Sequence, residues 1–270
     1  MHDRVSVNQL CFPGTPFPEL ASHWRELGAR RVSLVTSQLF EEGLAAAQAA
    51  LGTGDYVVEV LSHQFLVGHL EPEEESWHQP RERLSKVIQW ARSLGAGSIY
   101  MVTGGHGDLP WEEAADCFRA AIAPCVSEAR EAGIPLMIEP SPQVYASSNL
   151  AHNLRDTVTL AELAGIGVCI DIFGCWTEAG LKETIGRAVP MCHAIQVSDW
   201  VYGDRSLPAR AVPGDGAIPI RRICEWALDA GYRGPFDLEL LGPRIDQEGR
   251  VAAVGRAARY MSELLVSLGV

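Results

Sequence analysis

The chain has 270 residues, 47% of them apolar, and 34 Asp and Glu against 22 Lys and Arg, a formal net charge of -12. So acidic a balance argues against a nucleic-acid partner, which selects basic surfaces, and makes a phosphate-rich ligand unfavourable without a local pair of arginines. No apolar stretch reaches the roughly 18 residues of a spanning helix, MHDRVSVNQL lacks the apolar core of a signal peptide, and seven dispersed cysteines without a CxxC pair read as reduced thiols, so no membrane partner, no zinc-thiolate site and a cytoplasmic location are expected.

Strand-length apolar runs alternate with stretches of helical period. SVNQLCF (6–12) precedes a helix expected over 17–28, RVSLVTS (31–37) one over 41–51, and YVVEVLS (56–62) one over 80–94. SIYMVTG (98–104) precedes a helix over 111–132, PLMIEPS (135–141) one over 153–164, and GVCIDIF (167–173) one over 178–189. HAIQVSD (193–199) and PFDLELL (235–241) are followed by helices over 218–230 and 249–267. Glycine stops close several of these helices, in RELGA, RSLGA, REAGI and LDAGY. Regular alternation calls for parallel strands with helical crossovers. Eight units without a linker predict an α/β fold, a single (β/α)8 TIM barrel over residues 1–270, and such barrels take about 250 residues. A doubly wound open sheet is the alternative. Two insertions, 65–80 after the third strand and 200–219 after the seventh, would lie on the C-terminal face, where barrel enzymes keep their sites and long loops serve as lids.

Strand residues alternate faces. Glu139 therefore shares a face with Met137, Asp171 with Cys169, and Glu239 with Asp237 and Leu241, while the flanking Leu, Ile, Val and Phe turn to the helices. In HAIQVSD, Ile195 and Val197 face the helices, so Gln196 points inward and His193 is sent outward, beneath the helical layer. An acid inside a barrel costs several kcal/mol unless something pairs it. Three inward acids and an amide in successive strands predict one divalent cation held by Glu139, Asp171, Gln196 and Glu239. Oxygen donors alone favour Mn2+ or Mg2+ over zinc. The competing account neutralises these acids with arginines near strand ends, Arg205, Arg210 and Arg244.

Histidines near strand ends are candidate proton carriers. His63 continues the inward face of Glu59 and Leu61 and is the candidate catalytic acid or base; His106 follows the fourth strand. Trp176 and Trp200, just past strands, and Arg205 and Arg210 in the second insertion join His106 as candidate substrate-binding residues. The two lysines, Lys86 and Lys182, both fall in helices, which excludes a Schiff-base aldolase. GGHG and GTGD lack the lysine of a phosphate loop.

In this order the motifs resemble the xylose-isomerase-like TIM barrel superfamily, the sugar phosphate isomerases/epimerases. That pattern has Glu in strand five, Asp in strand six, an H-x-x-D stretch in strand seven and Glu in strand eight. Here Glu139, Asp171, QVSD (196–199) and Glu239 stand in those places, with PGDGAIPI (213–220) and GYRGPFDLE (231–239) resembling two further segments. The resemblance implies a divalent-metal-dependent isomerase or epimerase of a sugar or cyclitol α-hydroxy-ketone, working through an enediolate. It makes Glu139 and Glu239 the catalytic pair. Gln196 departs from the pattern, since most epimerases of the family have a ligand histidine there. Dehydratases acting on 3-dehydroshikimate accept glutamine, but they carry histidines beside the strand-five and strand-six acids, where this chain has Ser141 and Ile172. A metal-dependent lyase of the 3-dehydroshikimate or inosose type is therefore the second reading. A degenerate barrel that only binds a small molecule or partner is the third. Barrels of this type often pair, so a homodimer is the expected assembly. A repair endonuclease would need more histidine ligands and a basic groove.

Overall fold

A computed structural model describes residues 1–270. Eight parallel strands close a barrel in chain order: β1 (Val5–Asn8), β2 (Arg31–Val35), β3 (Val57–Gln64), β4 (Ser98–Val102), β5 (Leu136–Ile138), β6 (Gly167–Asp171), β7 (Cys192–Val197) and β8 (Phe236–Leu238). Closure is made where β1 meets β8, with Val5 opposite Phe236 and Val7 opposite Leu238. No open edge remains, which excludes the doubly wound sheet. No helix is long and apolar enough to cross a membrane.

The outer ring comprises α1 (Phe17–Leu27), α2 (Thr36–Glu42), α3 (Leu44–Leu51), α4 (His78–Leu94), α5 (Trp111–Ala132), α6 (Leu154–Ala164), α7 (Ile172–Cys175), α8 (Leu181–Ala188), α9 (Ile220–Asp229), α10 (Pro243–Glu248) and α11 (Arg250–Ser267). Gly28, Gly95 and Gly133 end their helices in the left-handed conformation, as the glycine stops predict, and Gly165 does so too. A side chain there would meet the Cβ penalty that glycine avoids. Gly231 is different: it lies one residue beyond Ala230, which caps α9.

Two separate apolar cores follow from strand parity. The large one packs outward-facing strand residues such as Val32, Ile99, Val168, Ile195 and Leu238 against the helices. Burying each such side chain contributes about 1.5–3 kcal/mol. The small one fills the barrel with Val60, Tyr100, Met137, Cys169 and Ala194. Met137, Cys169 and Ala194 are the inward neighbours of Glu139, Asp171 and Gln196, so the alternation read from sequence holds in those three strands. In β3 it does not: a register shift against β2 skips Glu59, puts Val60 inside the barrel and sends Leu61 to the outer core, so His63 does not continue an inward face shared with Leu61.

Three details differ from expectation. β1 stops at Asn8, whose side-chain oxygen accepts from the Leu10 amide and turns Gln9–Cys11 into a 3-10 turn. α2 starts directly from β2 without a capping side chain, so no local signal marks it. His193 is exposed rather than beneath the helices. It lines a cavity with Gly133, Gly165 and Met191, at the end of the barrel where strands begin.

Candidate active site

Glu139 and Glu239 each stand one residue past the last paired residue of a short strand, β5 and β8. Asp171 ends β6, and Gln196 is its register partner on β7. All four side chains are therefore presented at the C-terminal end of the barrel. Glu139, Asp171, Glu239 and Arg210 line one cavity of about 210 Å3, walled by Tyr145, Phe173 and Leu241. Glu139 also borders a second cavity of about 880 Å3, which runs past Tyr100 and His63 to Ser37, Gln79 and Arg83. Gln196 lies deeper and is fully buried.

The backbone at Glu139 is held by a residue the sequence does not flag. The Asn149 amide donates to the Glu139 carbonyl (3.0 Å), to Ser141 Oγ (2.9 Å) and to the Ala151 carbonyl (3.0 Å). Its oxygen accepts from the hydroxyl and amide of Thr103 at the end of β4. Cys11 does similar work behind Glu239: its thiol donates to the Leu238 carbonyl (3.1 Å), and the Leu240 amide donates to its sulfur (3.3 Å). The strand-six acid is kept close by Gly174, where a Cβ would lie 2.6 Å from the Pro140 carbonyl oxygen.

Arg210 is the dominant charge in this site. Nη1 donates to Asp171 Oδ1 (3.2 Å) and Ser198 Oγ (3.0 Å), and Nη2 donates to Asp171 Oδ2 (2.9 Å). Nη2 also lies 3.4 Å from Glu239 Oε2, and the guanidinium sits 4.7 Å from the centre of the Phe173 ring. Burial alone would lower the pKa of Arg210, but Asp171 and Glu239 outweigh it and hold the group charged. The arginine account is thus realised at Asp171. It extends to Glu239 only through the longer Arg210 contact; Arg244 pairs with Asp204, and Arg205 is exposed on the loop surface.

Glu139 has no arginine partner, and Glu239 has only the longer contact to Arg210. Glu139 Oε2 and Glu239 Oε2 are buried with no hydrogen bond, as is Gln196 Nε2. The Gln196 oxygen has only the Cys169 thiol at 3.4 Å. A half-turn of that amide exchanges its two ends. Burial, then the nearby Glu239 and Asp171 charges, raise the Glu139 carboxyl well above its usual range. Burial pushes Glu239 up to about 7 although Arg210 opposes it. No group of three or more His, Cys, Asp and Glu side chains is arranged to hold a metal ion. The four-donor site expected from sequence is therefore not preformed, because the Arg210 fork occupies both oxygens of Asp171.

His63 is buried at the end of β3, with Nδ1 2.9 Å from Thr36 Oγ1 and Nε2 unpartnered. Burial, aided by the Arg83 charge, lowers its pKa to about 4, so the ring is neutral near pH 7. The other expected contacts fall outside the residues lining the two cavities. His106 Nδ1 is 3.0 Å from the Leu109 carbonyl oxygen. Trp176 and Trp200 lie against each other at 6.1 Å, and the Trp200 indole donates to the Asp204 carbonyl. Tyr100, Tyr145, Phe173 and Asn149 are site residues that sequence reasoning missed. Parity in SIYMV does place Tyr100 on the inner face with Ser98 and Val102. Nothing local marks the others, because loop paths bring them in.

The chain matches the family described as xylose isomerase-like TIM barrel over residues 22–264. Comparison with curated proteins gives no sequence match. Among solved structures, a Sinorhizobium meliloti protein is 24% identical, covers 96% of this chain and 98% of its own, and has a TM-score of 0.81. D-psicose 3-epimerase from Clostridium cellulolyticum, solved with D-tagatose, is 12% identical over 96% of this chain and 98% of its own, with a TM-score of 0.79. A xylose isomerase-like TIM barrel protein from Mycobacterium smegmatis, in complex with magnesium, is 17% identical over 98% and 97%, with a TM-score of 0.72. At these identities the likeness is one of fold.

Proposed function

The chain belongs to the xylose isomerase-like TIM barrel family, and from that premise we propose that it is an isomerase or epimerase of a sugar or cyclitol α-hydroxy-ketone, dependent on one Mn2+ or Mg2+ ion. The observation that carries the reading is the pair Glu139 and Glu239. Each has a buried carboxylate oxygen that accepts no hydrogen bond, and both border the same small cavity. β5 and β8 stand three steps apart in a ring of eight, so the two carboxylates approach a bound molecule from different sides.

The donor chemistry fits a hard cation. Unpartnered carboxylate oxygens on Glu139 and Glu239, with the oxygen of a turned Gln196 amide, suit Mn2+ or Mg2+. Asp171 is the fourth donor of the proposed set. When bound, such an ion supplies Lewis-acid polarisation of a carbonyl. The chain's own residues do the rest. Glu139 takes the proton from the carbon beside the carbonyl, and Glu239 returns one to the opposite face, which inverts that centre. Burial raises the proton affinity of both carboxyls, the direction that favours a carboxyl carrying a proton. His63, with Thr36 donating to Nδ1, offers a neutral Nε2–H to a substrate oxygen. Arg210 and Ser198 present donors from the β7 side.

The same first step serves a dehydratase, which must also protonate a leaving hydroxyl. A neutral His63 with a pKa of about 4 is a weak acid for that purpose near pH 7, which favours the isomerase or epimerase. Seven free thiols support a reducing, cytoplasmic setting.

The test is isotopic. Protein loaded with Mn2+ or Mg2+ is incubated with candidate ketoses and keto-cyclitols in deuterated water. Deuterium at the carbon beside the carbonyl, without loss of water, supports the proposal. An enone absorbance with loss of water supports the lyase. No exchange with any substrate or metal, alongside saturable ligand binding, supports a binding protein.

A further inference from the structure

The charge balance at Arg210 is incomplete in a specific way. Three carboxylates, the buried Asp171 and Glu239 and the half-buried Glu139, share one guanidinium, which pairs with Asp171 and Glu239, so up to two negative charges stay uncompensated. That is the charge a divalent cation supplies. Yet both Asp171 oxygens are already engaged. Oδ2 accepts from Arg210 Nη2, and Oδ1 accepts both from Arg210 Nη1 and from the Phe173 amide at 3.0 Å.

We infer that Arg210 and the divalent cation contend for Asp171: the Arg210 fork claims both oxygens and must give up at least one of them for an ion to be held there. This rests on the proposed function only for the identity of the cation. Two physical terms set its direction. The fork geometry of a guanidinium claims both oxygens of a carboxylate at once. Its positive charge, inside a poorly solvated site, also repels any cation that arrives. Arg210 therefore lowers metal affinity and keeps the metal-free site from holding three unpaired acids. The opposite role is well defined. A partner that merely aligns a metal ligand raises affinity, and its loss commonly weakens binding 10–100-fold.

Mn2+ titration, read by the resonance of free Mn2+ and by calorimetry, separates the two without any assay of turnover. Arg210→Met is expected to bind Mn2+ about tenfold tighter than wild type or better. Its metal-free form should melt below wild type and recover on adding Mn2+. Arg210→Lys keeps the charge without the fork and should bind more tightly than wild type but less tightly than Arg210→Met. If Arg210→Met fails to fold, the lysine variant decides alone. Equal or weaker Mn2+ binding by the folded variants overturns the inference and leaves the metal-dependent reading intact. Binding by the variants but not by wild type supports the inference and removes that reading. No binding by any form overturns both.

Discussion

Glu139 and Glu239 stand apart from most of the chain's acids because each has a buried carboxylate oxygen that accepts no hydrogen bond. Such groups cost stability unless function requires them. Glu139→Gln or Glu239→Gln should therefore reduce turnover by at least about a hundredfold and weaken metal binding. His193→Ala, at the opposite end of the barrel, should leave both unchanged. Steady-state kinetics and metal content of the purified variants check this, and normal metal content in Glu239→Gln would count against the proposed donors. His63 makes a separate claim. Its folded pKa of about 4 lies below the ordinary 6.5, so between those values the unfolded chain binds more protons. The contribution to stability is complete above about 6.5 and is lost as pH falls toward 4. Wild type should lose roughly 2–3 kcal/mol from this group between pH 7 and pH 4.5. Urea denaturation at the two pH values should show that loss shrink in His63→Gln.

At the scale of elements, the site depends on loops that are pinned to the barrel. Asp199, the acid of the QVSD stretch, is buried and accepts from four backbone amides. Oδ1 takes Trp200 (2.8 Å) and Ile218 (3.0 Å); Oδ2 takes Gly214 (2.9 Å) and Gly216 (3.0 Å). It is thus a clamp on the 200–219 insertion, the segment that carries Arg210. Gly216 is required by the same approach, since a Cβ there would lie 2.2 Å from the Trp200 carbonyl oxygen. Asp199→Ala strips four backbone amides of their charged acceptor, the Ile218 amide in a buried position, and should cost about 3 kcal/mol. It should also open the insertion to limited proteolysis and blunt activity through Arg210. A loop cut no faster than in wild type would sink that view. The insertion reads from sequence as a lid because it is long and follows a strand. Its anchoring is not legible, because the amides that Asp199 binds lie up to 19 residues away. The glycine stops at Gly28, Gly95 and Gly133 were legible for the opposite reason: a helix end is a local event. The uncapped start of α2 carried no such mark.

Across the whole molecule, alternation of strands and helices determined the barrel, and period-two alternation determined which side chains enter it. Both are local consequences of backbone geometry, so Glu139, Asp171, Gln196 and Glu239 could be assigned to one interior before any coordinates were known. Partnership was beyond that reach. Arg210 meets an acid 39 residues away only because β6 lies beside β7 and the 200–219 insertion turns back over the mouth of the barrel. Only the tertiary structure decided that a guanidinium claims both oxygens of Asp171, reaches Glu239 by one longer contact and leaves Glu139 without an arginine. The physical reason is that charge pairing depends on where loops travel in space, whereas strand parity depends only on the next residue.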